Sequence, residues 1–158
     1  MTLKFLNTKE REKILRLLEE QFGIKNVEGR FIMIGKERIF LYNGGLSKEM
    51  MEKISKITNL ERAGVYFGKM MPSGNGEKIR LSIEGTQILK EEIRKNVFEL
   101  SEEMVEEWMM GRELNIKTGK RDFLIIKHGD DFLGTGKVSE EKIGNFIPKN
   151  RRLKERNG

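Results

Sequence analysis

No stretch limits the fold of this chain more than residues 122–138, DFLIIKHGDDFLGTGKV. Two runs rich in β-branched and aromatic residues flank Gly129-Asp130-Asp131, and a glycine that tolerates a left-handed backbone lets such a chain turn back on itself. The spacing predicts a β-hairpin. A little further on, Phe146-Ile147-Pro148 gives way to Lys149, Arg151, Arg152 and Lys154, so a basic tail follows the sheet directly.

Upstream, Asn7 and Glu10 stand where a capping box needs them. They predict a helix to about Gln21, with Ile14, Leu15, Leu18 and Phe22 on one face and Gly23 as its stop. Residues 31–34 and 39–42 read as a hairpin buried on much of both faces. Ser47 caps a second helix to about Ile57, and its stripe of Leu46, Met50, Met51, Ile54 and Ile57 is expected to fill core gaps, as the flexible thioether does well. A strand over 64–71, a loop over 72–76 and a return strand over 78–84 follow, the last alternating Ile79, Leu81 and Ile83 with a wet face. Residues 85–95 predict a short helix with Ile88, Leu89 and Ile93 inward, and the charged run 91–96 marks a domain boundary. The second domain opens with a strand over 96–100. Ser101 then caps a helix through Met110, which carries Trp108 inward and ends at Gly111. Residues 155–158 are expected to fray.

Charge is unevenly spread along the 158 residues. Residues 111–158 hold 12 Lys and Arg against 7 Asp and Glu, whereas residues 1–110 hold 19 against 18, so the net charge of +6 sits almost wholly in the last third. A clustered positive field suits a polyanion partner, while evenly mixed charge cancels. The absence of cysteine excludes disulfides, thiolate metal sites and cysteine nucleophiles. Apolar runs are too short to cross a bilayer, and a cytoplasmic location with no membrane partner is expected.

Catalytic signatures are missing. None of the four Gly-Lys pairs has the glycine upstream or the hydroxyl downstream that a phosphate-binding loop requires. His128 is the only histidine and, lying beside the hairpin turn, reads as an exposed turn residue; it has no partner spacing for a hydrolytic triad or a metal. The acidic pairs at 102–103, 106–107 and 130–131 fall on a helix's wet face and a turn, where carboxylates stay solvated. No catalytic residue, metal ligand or cofactor is therefore assigned.

GRELNI at 111–116, the hairpin at 122–138 and KIGNFIPKNRRL at 142–153 together resemble a PUA domain. The likeness is to the version at the C-terminus of Nol/Nop/Sun-type RNA methyltransferases and to archaeal stand-alone relatives. LGTGKV followed by NFIPKNRR is its specific part. VYFGKMMPSGNGEKIRLSIEGTQIL at 65–89 resembles the end of the N-terminal domain in large-subunit biogenesis factors of the Nip-seven type, where a PUA domain follows in the same order. Where many PUA domains have an Ala-Pro-Gly-like turn, this chain has Asn115-Ile116-Lys117-Thr118-Gly119.

The resemblance implies an α+β protein: a pre-PUA-like α/β domain over 1–95, then a PUA-type β pseudo-barrel over 96–158. It implies a non-catalytic protein that binds structured rRNA or tRNA, in ribosome biogenesis or beside an RNA-modification enzyme or ribosome-assembly factor. A protein–protein adaptor in an RNA-processing complex is the alternative. The expected RNA contacts are Arg112, Lys117, Lys120, Arg121, Lys137, Lys149, Arg151, Arg152 and Lys154, gathered on one face.

Overall fold

The computed structural model describes residues 3–57, 64–74 and 76–154. Five strands, β1 (Leu3–Phe5), β2 (Arg30–Ile34), β3 (Arg38–Tyr42), β4 (Val65–Ser73) and β5 (Gly76–Leu81), form an antiparallel sheet in chain order. Four more, β6 (Val97–Glu99), β7 (Phe123–His128), β8 (Asp131–Val138) and β9 (Ile143–Asn145), form a second sheet, also in chain order. Helix α1 (Thr8–Phe22) joins β1 to β2, α2 (Lys48–Ile57) follows β3, α3 (Ile83–Ile88) follows β5, and α4 (Glu102–Met109) connects β6 to β7. Strand β6 runs parallel to β7, which a helical crossover such as α4 makes possible, and every other pairing is antiparallel.

Local signals set the ends of α1. The Asn7 side chain accepts from Glu10 N at 2.9 Å, the Glu10 carboxylate accepts from Asn7 N at 3.1 Å, and Gly23 closes the helix at φ 70°. Ser47 and Ser101 likewise cap α2 and α4. The second hairpin is tighter than the expected loop over 72–76, because pairing continues to Ser73 and Gly76; Asn75 itself lies outside the described residues, as do residues 155–158. The return strand stops at Leu81 instead of 84. Ser82 leaves the sheet by accepting from Gly85 N at 2.9 Å, so Ile83 and Glu84 begin a helix. That helix lies flat on β4, since a Cβ at Gly85 would stand 2.3 Å from the Phe67 carbonyl oxygen.

Two other expectations about burial fail. In α2 only Met51 is buried, against Leu3, Phe5, Ile32, Ile34 and Phe40, while Leu46, Met50 and Ile57 are 43%, 45% and 86% exposed. Ile88 is 49% exposed too; its turn ends early, and Leu89 and Ile93 take the inward positions.

The second sheet is sandwiched. Leu124 and Ile126 of β7 face Leu100, Trp108, Leu114 and Ile143, while Phe123 and Ile125 join the main core with Leu18, Phe22, Phe67 and Ile79. Burial on both faces explains why FLII reads as an unbroken apolar run. The core therefore continues past residue 95. The connecting backbone is pinned as well, Arg94 N bonding to Phe22 O at 2.9 Å and the Asn96 amide to Gln21 O, so the charged run 91–96 is held against the end of α1.

Candidate nucleic-acid interface

Strands β7 to β9 converge on one end of the second sheet, and that convergence positions four of the nine expected cations. Phe123 pairs with Lys137, and Lys137 pairs with Gly144, so Lys137 sits at the middle of three strands. Its ammonium lies 5.5 Å from the Phe123 ring centroid. Lys120 and Arg121 precede Phe123 in the incoming loop and are exposed, and Lys117 stands against Glu141 at 3.3 Å.

The remaining five follow the tail and α4. Arg112 makes a two-pronged contact with Glu107, 2.8 and 3.0 Å, and Arg151 pairs with Glu84 of α3. Arg152 is a structural residue: its Nε donates to the Ile147 carbonyl at 2.8 Å and its side chain crosses Gly111, where a Cβ would lie 2.3 Å from that nitrogen. Leu153 N bonds to Met109 O at 2.8 Å, which ties the tail to the end of α4. Lys149 and Lys154 are exposed.

The expected single face is thus divided. Lys137 shares a face of β8 with Thr135, whose hydroxyl reaches Leu81 O at 3.1 Å, while Arg112 and Arg152 are anchored to α4 on the other face. Among the described residues, Lys120, Arg121, Lys137, Lys149 and Lys154 have no carboxylate within ion-pair distance. Gly134 and Gly136 precede Lys137, and a strand glycine leaves room for a backbone or a phosphate to approach. Instead the protein's own side chains fill that space: a Cβ at Gly136 would lie 2.4 Å from Ile143 and 2.9 Å from Trp108, and one at Gly134 would lie 3.3 Å from Ile83.

His128 is half-buried rather than exposed, and its Nδ1 donates to the Leu100 carbonyl at 2.7 Å, so it holds the start of α4 against the hairpin. Among the described residues no three of His, Asp and Glu come together as a metal ion would need, and no helix is long and apolar enough to cross a membrane.

Sequence reasoning missed a cleft between the two sheets, about 280 Å³ in volume, which Tyr66, Arg80, Glu84, Thr135, Phe146 and Arg151 help to line. The Arg80 guanidinium lies 4.3 Å above the Phe146 ring, and Phe146 in turn is 6.0 Å from Phe123. A run of Arg80, Phe146, Phe123 and Lys137 thereby links β5 to the second sheet. The available signal was Arg80 alternating between Ile79 and Leu81, a pattern that marks a face without saying what covers it.

Residues 95–153 match the family model described as the methyltransferase RsmF PUA domain. No curated protein matches the chain.

Proposed function

Starting from a carboxy-terminal PUA domain that resembles the one ending Sun-type RNA methyltransferases, we propose that this chain is a non-catalytic RNA-binding protein. A PUA domain is an RNA-binding module. The ligand is structured rRNA or tRNA, and the role is in ribosome assembly or in presenting RNA to a modification enzyme in the cytoplasm. Residues 1–95 act as the pre-PUA-like unit and 96–158 as the PUA unit.

The observation that carries this reading is the set of cations that, among the described residues, have no carboxylate at ion-pair distance: Lys120, Arg121 and Lys137 at β7 and β8, and Lys149 and Lys154 on the tail. Such groups fix register on sugar-phosphate and release counterions on binding. With about five phosphates neutralised, log affinity should fall against log salt with a slope of roughly −3.5 to −4.5. Filter binding with rRNA or tRNA fragments measures it, and a slope near zero sinks the proposal.

One observation favours the second reading, a protein adaptor: the exposed apolar residues Met50 and Ile57 on α2 and Leu46 just before it. Charge reversal at Lys120, Arg121 and Lys137 separates the two. RNA retention collapses on the first reading; partner capture survives on the second.

A further inference from the structure

Register places Arg38, Lys69 and Arg80 side by side on one rung of the first sheet, since Arg38 pairs with Lys69 and Lys69 pairs with Arg80. Directly opposed residues project from the same face, and like charges so placed repel. Strand spacing puts the first and third about 10 Å apart. Among the described residues that line the groove over this rung, Glu37, 3.0 Å from Lys69, is the acid, beside Lys36, Arg38, Lys69 and Arg80. A polyanion laid along the rung offsets that repulsion.

The rung does not end in solvent. Tyr66 and Arg80 line both the groove over the rung and the cleft between the sheets, so the two are continuous. Across both, Lys36, Arg38, Lys69, Arg80 and Arg151 stand against Glu37 and Glu84, which leaves a positive excess. Arg80 is held flat by Phe146 beneath it and has no carboxylate partner among the described residues. Tyr66 is half-buried, with one side against Phe40 at 5.5 Å between centroids. A planar guanidinium and a tyrosine ring at the mouth of a small cleft, fed by a cationic strip, are what an unpaired nucleotide needs: phosphate contacts outside, stacking inside.

We propose that this rung and cleft bind a single-stranded RNA extension, with phosphates along Arg38, Lys69 and Arg80 and one base entering against Tyr66 and Arg80. The inference rests on the RNA reading above and deepens it, because it gives the ligand two parts: a structured region on the second sheet and an unpaired segment on the first. The Arg151–Glu84 pair also lines the cleft. The charge pattern favours RNA over an acidic peptide, since carboxylate side chains supply no flat faces to stack.

The test uses the full chain and three probes: a blunt RNA stem, the same stem with a five-nucleotide unpaired extension carrying 2-aminopurine, and that extension alone. The expected result is that the extended stem binds roughly 5- to 150-fold tighter than the blunt one, the range for stacking one base. The 2-aminopurine fluorescence is quenched on binding. In Arg80→Gln the affinity ratio of extended to blunt stem falls towards one, and Tyr66→Leu restores the fluorescence while Tyr66→Phe does not. Thermal melting checks that each variant is folded, and Lys69→Gln gives a second reading should Tyr66→Leu unfold. Tight binding of the blunt stem with no gain from the extension overturns the inference and leaves the second-sheet reading standing. Binding of the extension without the blunt stem does the reverse. Binding of neither, or displacement by an acidic peptide alone, overturns both.

Discussion

Two cationic regions of this molecule differ less in how many Lys and Arg they hold than in what neutralises them. Around α4, the loops flanking β7 and β9, and the tail, Arg112 faces Glu107, Lys117 faces Glu141, Lys142 faces Glu113 at 2.5 Å and Arg151 faces Glu84. Across the first sheet, Arg38, Lys69 and Arg80 share a rung, with Glu37 at Lys69 and Arg80 over the Phe146 ring with no carboxylate beside it among the described residues. The excess counted in the last third is therefore partly cancelled at short range, while the near-neutral first part gathers three cations on one rung. Composition sets a protein's total charge; pairing geometry decides where a field reaches solvent.

The largest expected effect strikes what both regions stand on. Phe123 is buried in the main core, touches Phe146 and lies under Lys137. Phe123→Ala should cost about 3–5 kcal/mol in urea unfolding; a loss under about 1 kcal/mol would mean that the two sheets keep separate cores. Next, reversing Lys120, Arg121 and Lys137 together to Glu should weaken RNA retention on the order of a hundredfold at low salt, against threefold or less for Arg112→Gln with Lys117→Gln. Equal losses would erase the distinction between paired and unpaired cations. Third, the buried Gln21 amide donates to Ile79 O at 3.0 Å and accepts from Ile79 N at 2.7 Å, which holds β5 beside Arg80. Gln21→Leu orphans both groups and should cost about 1–3 kcal/mol, with faster amide exchange in β5.

The smallest effect calibrates what a wet ion pair is worth. The Lys4 ammonium, and after it the Asn7 backbone N–H, hold the Glu10 carboxyl below the usual carboxylate range. A lowered folded-state pKa gives stability that is present above the unfolded value and is lost as pH falls through the folded one. Asn7→Ala should remove about 0.5–2 kcal/mol at neutral pH. Glu10→Gln should flatten the acid limb of the stability curve, and an unchanged acid limb would show that the pair contributes nothing measurable.

Signals that span three or four residues were readable from sequence, and signals that depend on distant pairing were not. Asn7 with Glu10, Ser47 and Ser101 announced their helices because a cap is a local hydrogen bond. Ser82 misled because it continues the alternation of Ile79 and Leu81 while acting as a cap, and only the oxygen aimed at Gly85 N decides between them. The stripe on α2 showed that the helix has an apolar side, yet burial depends on whether another element arrives there. The rung could not be foreseen, since it requires the register of three strands and a shift between Ile39 and Phe40. Arg151 and Arg152 looked interchangeable in the tail, but one meets an acid 67 positions earlier and the other braces Gly111.

Phe123 and Ile125 complete a core whose other members come mostly from α1 and the first sheet. During synthesis, then, the leading residues emerge with a hydrophobic surface that stays wet until β7 has left the ribosome. A nascent chain stalled before position 123 lacks the two side chains that close this core, and that open patch is what a chaperone would meet.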